Sequence, residues 1–336
     1  MDLNNLEEKS KSNETDILDI KKQEETKDLN DKKPDLSISS LVIKNFDESV
    51  NINKTEKIQK KIKTLCFSGG GIKGFSFLGA LQGLIEKKIV NLSEIKSFVG
   101  TSIGAVLAFL LNLEWEIEEI KEFIFNFNFS KLKGEINSIS FFQTYGIQDG
   151  ERFKLLLIKF LESKLNLKDI TFEELYKKTN KKLIIIGANL SKAKEVVFSY
   201  KNTPTFSVIL ALRISTSVPI IFSPVIYENE YYVDGGIVNN FPLNHCSKKS
   251  TIGFYIKNSD ECNDINSLKK IVTSVLGVTA DTISEKNIKK YFNSVIQIKN
   301  SEFIPTNFDI DLETKKKIID LGSKSIDDFL LKFNNI

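Results

Sequence analysis

Ile62-Lys63-Thr64-Leu65-Cys66-Phe67-Ser68-Gly69-Gly70-Gly71-Ile72-Lys73-Gly74 and Ile95-Lys96-Ser97-Phe98-Val99-Gly100-Thr101-Ser102-Ile103-Gly104 are two statements of one pattern. Each is a short apolar run that ends in a glycine-containing turn. After the first, Phe75, Leu78, Leu81, Leu84 and Ile85 recur at helical spacing; after the second, Ala105 to Leu111 is apolar throughout. Strand, turn, helix, strand, turn, helix is the order of a parallel α/β sheet. The fold class expected is therefore α/β, built on a mainly parallel central sheet.

Further along, Glu116–Phe127 and Glu151–Leu161 carry helical apolar spacing, and Thr171-Phe172-Glu173-Glu174 is a capping box that starts a short helix. Leu183–Ala188 reads as a buried strand with Val196–Tyr200 beside it, and Thr205–Ile214 as a helix. Tyr231–Val233 is a strand that ends at Asp234-Gly235-Gly236. The tail holds one strand-like run, Ser294–Ile298, and a helix from about Glu313 to Phe333. Residues 1–60 contain no Gly, Trp or Tyr and mix Lys, Glu, Asp, Asn and Ser. A segment of that composition does not bury enough apolar surface to offset its ordering entropy, so 1–60 is expected to be weakly ordered or disordered, with Ser37–Ile43 as a small apolar island. The expected organisation is that segment, a catalytic domain over 61–250, and a 251–336 extension packed on it.

Composition narrows the function. With 47 basic and 44 acidic residues the net charge is +3, which gives no electrostatic case for a nucleic-acid partner. Three widely spaced cysteines, Cys66, Cys246 and Cys262, support neither a disulfide framework nor a zinc site; no metal site and no cofactor are expected. The N-terminus lacks an apolar signal region, and the longest apolar run, Phe98–Leu113, is short of a membrane span and interrupted by glycines. A cytoplasmic protein is expected.

Three motifs carry chemistry. Gly100-Thr101-Ser102-Ile103-Gly104 fits G-x-S-x-G, in which a serine projects from a crowded strand-to-helix turn flanked by glycines. Gly69-Gly70-Gly71-Ile72-Lys73-Gly74 offers converging backbone N–H groups. They suit an oxyanion, or the phosphates of a dinucleotide, since the spacing also fits G-x-G-x-x-G with Glu94 near the acidic position. Asp234-Gly235-Gly236 sets a carboxylate at a strand end, where a plain turn is the competing reading. The sole histidine, His245, follows Asp234 closely and lies just after Pro242, which starts a helical turn. If His245 is not the base for Ser102, Asp234 takes that place.

Taken together, these motifs resemble the patatin-like phospholipase family. The similarity runs from about Lys63 to Leu243 and includes Arg213-Ile214-Ser215-Thr216-Ser217-Val218-Pro219 and Asn239-Asn240-Phe241-Pro242. The resemblance implies a three-layer α/β/α sandwich and calcium-independent acyl hydrolysis of membrane lipids by a Ser-Asp dyad. Carried over, Ser102 is the nucleophile, Asp234 the base, and Gly69, Gly70 and Gly71 the oxyanion hole, with Lys73, Gly74, Gly100, Gly104, Gly235 and Gly236 supporting. Lys73 stands where the family usually has Arg, and Ile214 where it has a small residue. The partner implied is a lipid or phospholipid at a membrane surface, contacted peripherally. A nucleotide-binding enzyme and a lipid-binding module without catalysis are the alternatives. Phe125, Phe127, Phe129, Phe141, Phe142 and Tyr145 are candidates for an acyl-chain lining as well as for core.

Overall fold

The computed structural model describes residues 61–133, 145–257, 268–300 and 302–333. The expected weak order of 1–60, with its apolar island, and the candidates Phe141 and Phe142 lie outside them.

In chain order the strands are β1 (Thr64–Phe67), β2 (Ser97–Thr101), β3 (Gly146–Gln148), β4 (Lys182–Asn189), β5 (Lys194–Ser199), β6 (Ile220–Phe222), β7 (Val225–Tyr227), β8 (Glu230–Asp234), β9 (Thr251–Lys257) and β10 (Val295–Lys299). The helices are α1 (Ser76–Glu86), α2 (Ile103–Asn112), α3 (Ile117–Asn126), α4 (Glu151–Leu165), α5 (Phe172–Thr179), α6 (Val208–Ser215), α7 (Gly236–Asn239), α8 (Leu268–Lys290) and α9 (Leu312–Phe333). The main sheet runs β10-β9-β1-β2-β4-β8-β7, with β5 also on β4. From β10 to β4 every pairing is parallel; β5, β7 and β8 join antiparallel.

Alternation along the strands explains the layering. Leu65, Phe67, Phe98 and Phe254 point into the larger core, which α1, α2, α3, α4 and α6 cover. Cys66, Val99, Tyr255 and Val295 point the other way, into a smaller core closed by Phe241, Leu243, Ile288 and Tyr291. Helices therefore flank a large, mostly parallel sheet on both faces. Strands buried on both sides need continuous apolar runs, which is how β1 and β4 read.

The expected helix at Phe75 begins one residue later, because Gly71–Phe75 forms a tighter 3-10 turn that leads into α1. The capping box at Thr171 is present in both directions. Two elements of the tail were not anticipated. β9 continues the parallel sheet from β1 despite Gly253, whose bare Cα lets the Phe241 ring approach; a Cβ there would stand 2.6 Å from Phe241 Cζ. α8 lacks a clear apolar period because part of its outward face is itself apolar.

Candidate active site

Strand register brings Ser102 and Asp234 together. One edge of β4 carries β5. The opposite edge carries β2 as far as Thr101, paired with Ile186, and then β8, whose Asp234 pairs with Gly187. Consecutive positions on one strand edge thus hold Thr101 and Asp234, and Ser102 follows Thr101 directly.

Ser102 sits at φ 56°, ψ −129°, a strained conformation for a residue with a side chain. The turn is closed so tightly that a Cβ on Gly100 would lie 2.3 Å from the Gly104 carbonyl group, which accounts for the glycine pair. The Ser102 hydroxyl makes no capping bond to α2, although the helix starts at the next residue. Its position at that N-terminus favours developing negative charge. The backbone N–H of Ser102 donates to Ser215 Oγ at 2.9 Å, and Ser215 Oγ donates to the Ile186 carbonyl at 2.6 Å.

Asp234 is 4% exposed. Burial pushes its pKa up to about 7, against the lowering effects of the Ser102 hydroxyl and of the Gly236 N–H, which donates to Oδ1 at 2.7 Å. Oδ2 is buried without a hydrogen bond of good geometry among the described residues. The Ser102 hydroxyl faces this carboxylate and lowers its pKa.

The glycine loop lies against this pair. A Cβ on Gly69 would fall 3.3 Å from Ser102 Cβ. The Gly69 N–H, however, donates to the Asn240 carbonyl at 3.0 Å, and Ile72 N–H to the Pro305 carbonyl at 3.0 Å. Gly69 was expected as an oxyanion donor; its amide instead ties the loop to the segment after α7. No such backbone acceptor takes the amides of Gly70 or Gly71 among the described residues. Gly71 has φ +56°, and a Cβ there would meet the Pro305 carbonyl oxygen at 2.1 Å. Lys73 is buried beneath the loop, and desolvation lowers its pKa to about 8 against the opposing field of Asp281. Gly74 abuts Ile103, and Gly235 packs against the Ile186 carbonyl.

His245 lies in a single 3-10 turn after Pro242, and its Nε2 bonds Glu195 Oε1 on β5 at 2.8 Å. No hydrogen bond among the described residues links it to Ser102 or Asp234. Glu94, the acidic residue of the dinucleotide spacing, is exposed and pairs with Lys63 at 2.6 Å.

The resemblance includes the segment 213–219 without giving it a task. Its structure supplies one. Ser215 holds the Ser102 amide, and the Ser217 carbonyl accepts the Asp234 N–H at 2.9 Å, so one short segment fixes both residues. Arg213, buried and with its pKa lowered to about 10 by desolvation, bonds Ser217 Oγ and the Asp149 carbonyl. Ile214 is buried against Gly187, whose missing side chain makes room for it.

Beside the nucleophile turn is a predominantly apolar cavity of about 60 Å³. Gly74 and Ile103 belong to its wall, as do residues of α1, α2, α3 and α4. Of the expected aromatic lining among the described residues, Phe129 is on this wall; Phe125, Phe127 and Tyr145 are not.

The family model described as Patatin-like phospholipase matches residues 65–246. The chain is 29% identical over 292 residues to Uncharacterized protein R571 of Acanthamoeba polyphaga mimivirus, covering 82% of this chain and 96% of that protein. It is 37% identical over 189 residues to "Probable lipid hydrolase 463L" of Invertebrate iridescent virus 6, covering 55% of this chain and 63% of the relative. Among solved structures, VipD from Legionella pneumophila is similar in fold, with a TM-score of 0.59 at 17% identity over 80% of this chain and 67% of that one. With the family model spanning more than half its length, the chain belongs to the patatin-like phospholipase family, a family of lipid hydrolases.

Proposed function

We propose that the protein is a calcium-independent, phospholipase A-type acyl hydrolase with Ser102 as nucleophile and Asp234 as its base. The observation that carries this reading is the buried Asp234 carboxylate beside Ser102, with its pKa near neutrality. An ordinary aspartate is too weak a base for a serine; a desolvated one is matched to work near pH 7.

Asp234 takes the Ser102 proton as Oγ bonds to the ester carbonyl carbon. The amides of Gly70 and Gly71 receive the oxyanion, and each such donor is worth about 3 kcal/mol. The carbon–oxygen bond to the lipid alcohol then breaks, and the alcohol leaves with the proton from Asp234. Water attacks the acyl-Ser102, gives its proton to Asp234, and releases the fatty acid as Ser102 regains its hydrogen.

A lipid surface also suits the outer face of α8. Ile271, Val275 and Val278 are exposed there at helical spacing. Exposed Thr279 and Thr282 follow, and their hydroxyls donate back to the Val275 and Val278 carbonyls, which satisfies them within the helix. Exposed Lys286, Lys289 and Lys290 follow, a distribution suited to an anionic bilayer. The inner face of the same helix packs on the smaller core: Tyr255 donates to Asp281 at 2.5 Å, and the Asn287 side chain donates to the Phe241 carbonyl at 3.5 Å. No helix among the described residues is long and apolar enough to cross a membrane. We read the contact as peripheral.

The test is fatty-acid release from mixed phospholipid vesicles in a calcium chelator, followed by mass spectrometry. Wild type is expected to release fatty acid and lysophospholipid; Ser102→Ala and Asp234→Asn are each expected to abolish release while remaining folded. Undiminished release by either variant overturns the reading.

A further inference from the structure

The apolar cavity has a direction and a stop. α2 lines it with Ile103, Val106, Leu107 and Leu110, and α4 with Phe153, Leu156 and Phe160. Both sets recur along one helical face, with first and last residue seven positions apart, about 10 Å of helix. Ile103 follows the nucleophile, so that end of α2 is the near end. Trp115 comes just after the far end of α2, and Phe160 meets it edge-on at 5.5 Å between ring centroids. Phe160 therefore marks the remote end. It also meets Phe123 edge-on at 4.9 Å. Lys164 lies over the Trp115 ring at 5.1 Å and is held by Glu119 at 2.7 Å, so the rings are closed from outside by an ion pair. A small volume spread over such a length is a sleeve for a single chain.

We infer that the sleeve takes the acyl chain of the ester and that the Phe123, Trp115 and Phe160 rings set its greatest length. The inference rests on Ser102 being the nucleophile. Ten ångströms beyond Ser102 holds an extended chain of about eight carbons, since each C–C bond of about 1.5 Å advances a zigzag chain by about 1.25 Å. Longer chains meet Phe160, and hydrocarbon that finds no room forfeits its burial or displaces packed rings, each with a cost in kcat/KM.

The experiment compares p-nitrophenyl esters from butyrate to palmitate, in the same mixed micelles, for wild type, Phe160→Ala and Leu110→Phe. Wild type is expected to peak at octanoate or decanoate. Phe160→Ala is expected to raise the myristate-to-octanoate ratio of kcat/KM by about tenfold or more, and Leu110→Phe to move the peak to shorter esters. Two variants acting in opposite directions keep the test decisive if one of them misfolds. Ratios within twofold of wild type in every folded variant, with Ser102-dependent butyrate hydrolysis intact, overturn the gauge and leave the nucleophile standing. Absence of ester turnover in wild type overturns both.

Discussion

At the scale of single residues, Asp234 carries the chemistry because water is kept from it. Desolvation raises its pKa to about 7, and the two donors that face it, Gly236 N–H and the Ser102 hydroxyl, recover only part of the lost solvation. Proton abstraction needs the ionised form, so kcat/KM is expected to rise with pH through a midpoint near 7 and to level above it. A midpoint near the ordinary carboxylate value of 3.8 would show that burial does not control the base. Stability runs the other way. The folded state holds this proton more tightly than the unfolded chain, so the contribution is full below 3.8 and is lost as pH rises to about 7. Asp234→Asn is accordingly expected to melt above wild type at pH 8, with the difference shrinking toward pH 4 in thermal scans. The spacing of Ser102 between Gly100 and Gly104, and of Asp234 before two glycines, was legible in the sequence. The pKa was not, because it depends on which strands cover the carboxylate.

At the scale of elements, α6 and the turn after it illustrate a task that sequence alone left open. Arg213, Ser215 and Ser217 were recognisable as a pattern, yet their bonds reach Asp149, Ser102, Ile186 and Asp234, all distant in the chain. Gly69 shows the converse: the motif suggested a donor, and tertiary contact with Asn240 took its amide. β9 and α8 are hard to read from the sequence for physical reasons. A glycine interrupts β9, and exposed Ile271, Val275 and Val278 blur the amphipathic period of α8. That face gives a prediction of its own. Val278 is 67% exposed, so Val278→Asp is expected to leave the melting temperature unchanged while lowering co-sedimentation with anionic vesicles severalfold. Equal recovery of variant and wild type would remove α8 from the membrane contact.

At the scale of the whole molecule, the site follows from one feature of topology. A parallel β2 and an antiparallel β8 share one edge of β4, and their meeting point sets Thr101 and Asp234 side by side. The opening strand, turn and helix pattern identified the parallel part of this sheet, since each unit is local. The antiparallel end was less legible: strands β7 and β8 are short, and their pairing with β4 is long-range. The most direct test of the central claim is covalent labelling with a fluorophosphonate, mapped by peptide mass spectrometry. One adduct is expected, on Ser102, absent in Ser102→Ala and formed about a hundredfold more slowly in Asp234→Asn. An adduct on another residue, or full-rate labelling of Asp234→Asn, would contradict the Ser102-Asp234 dyad.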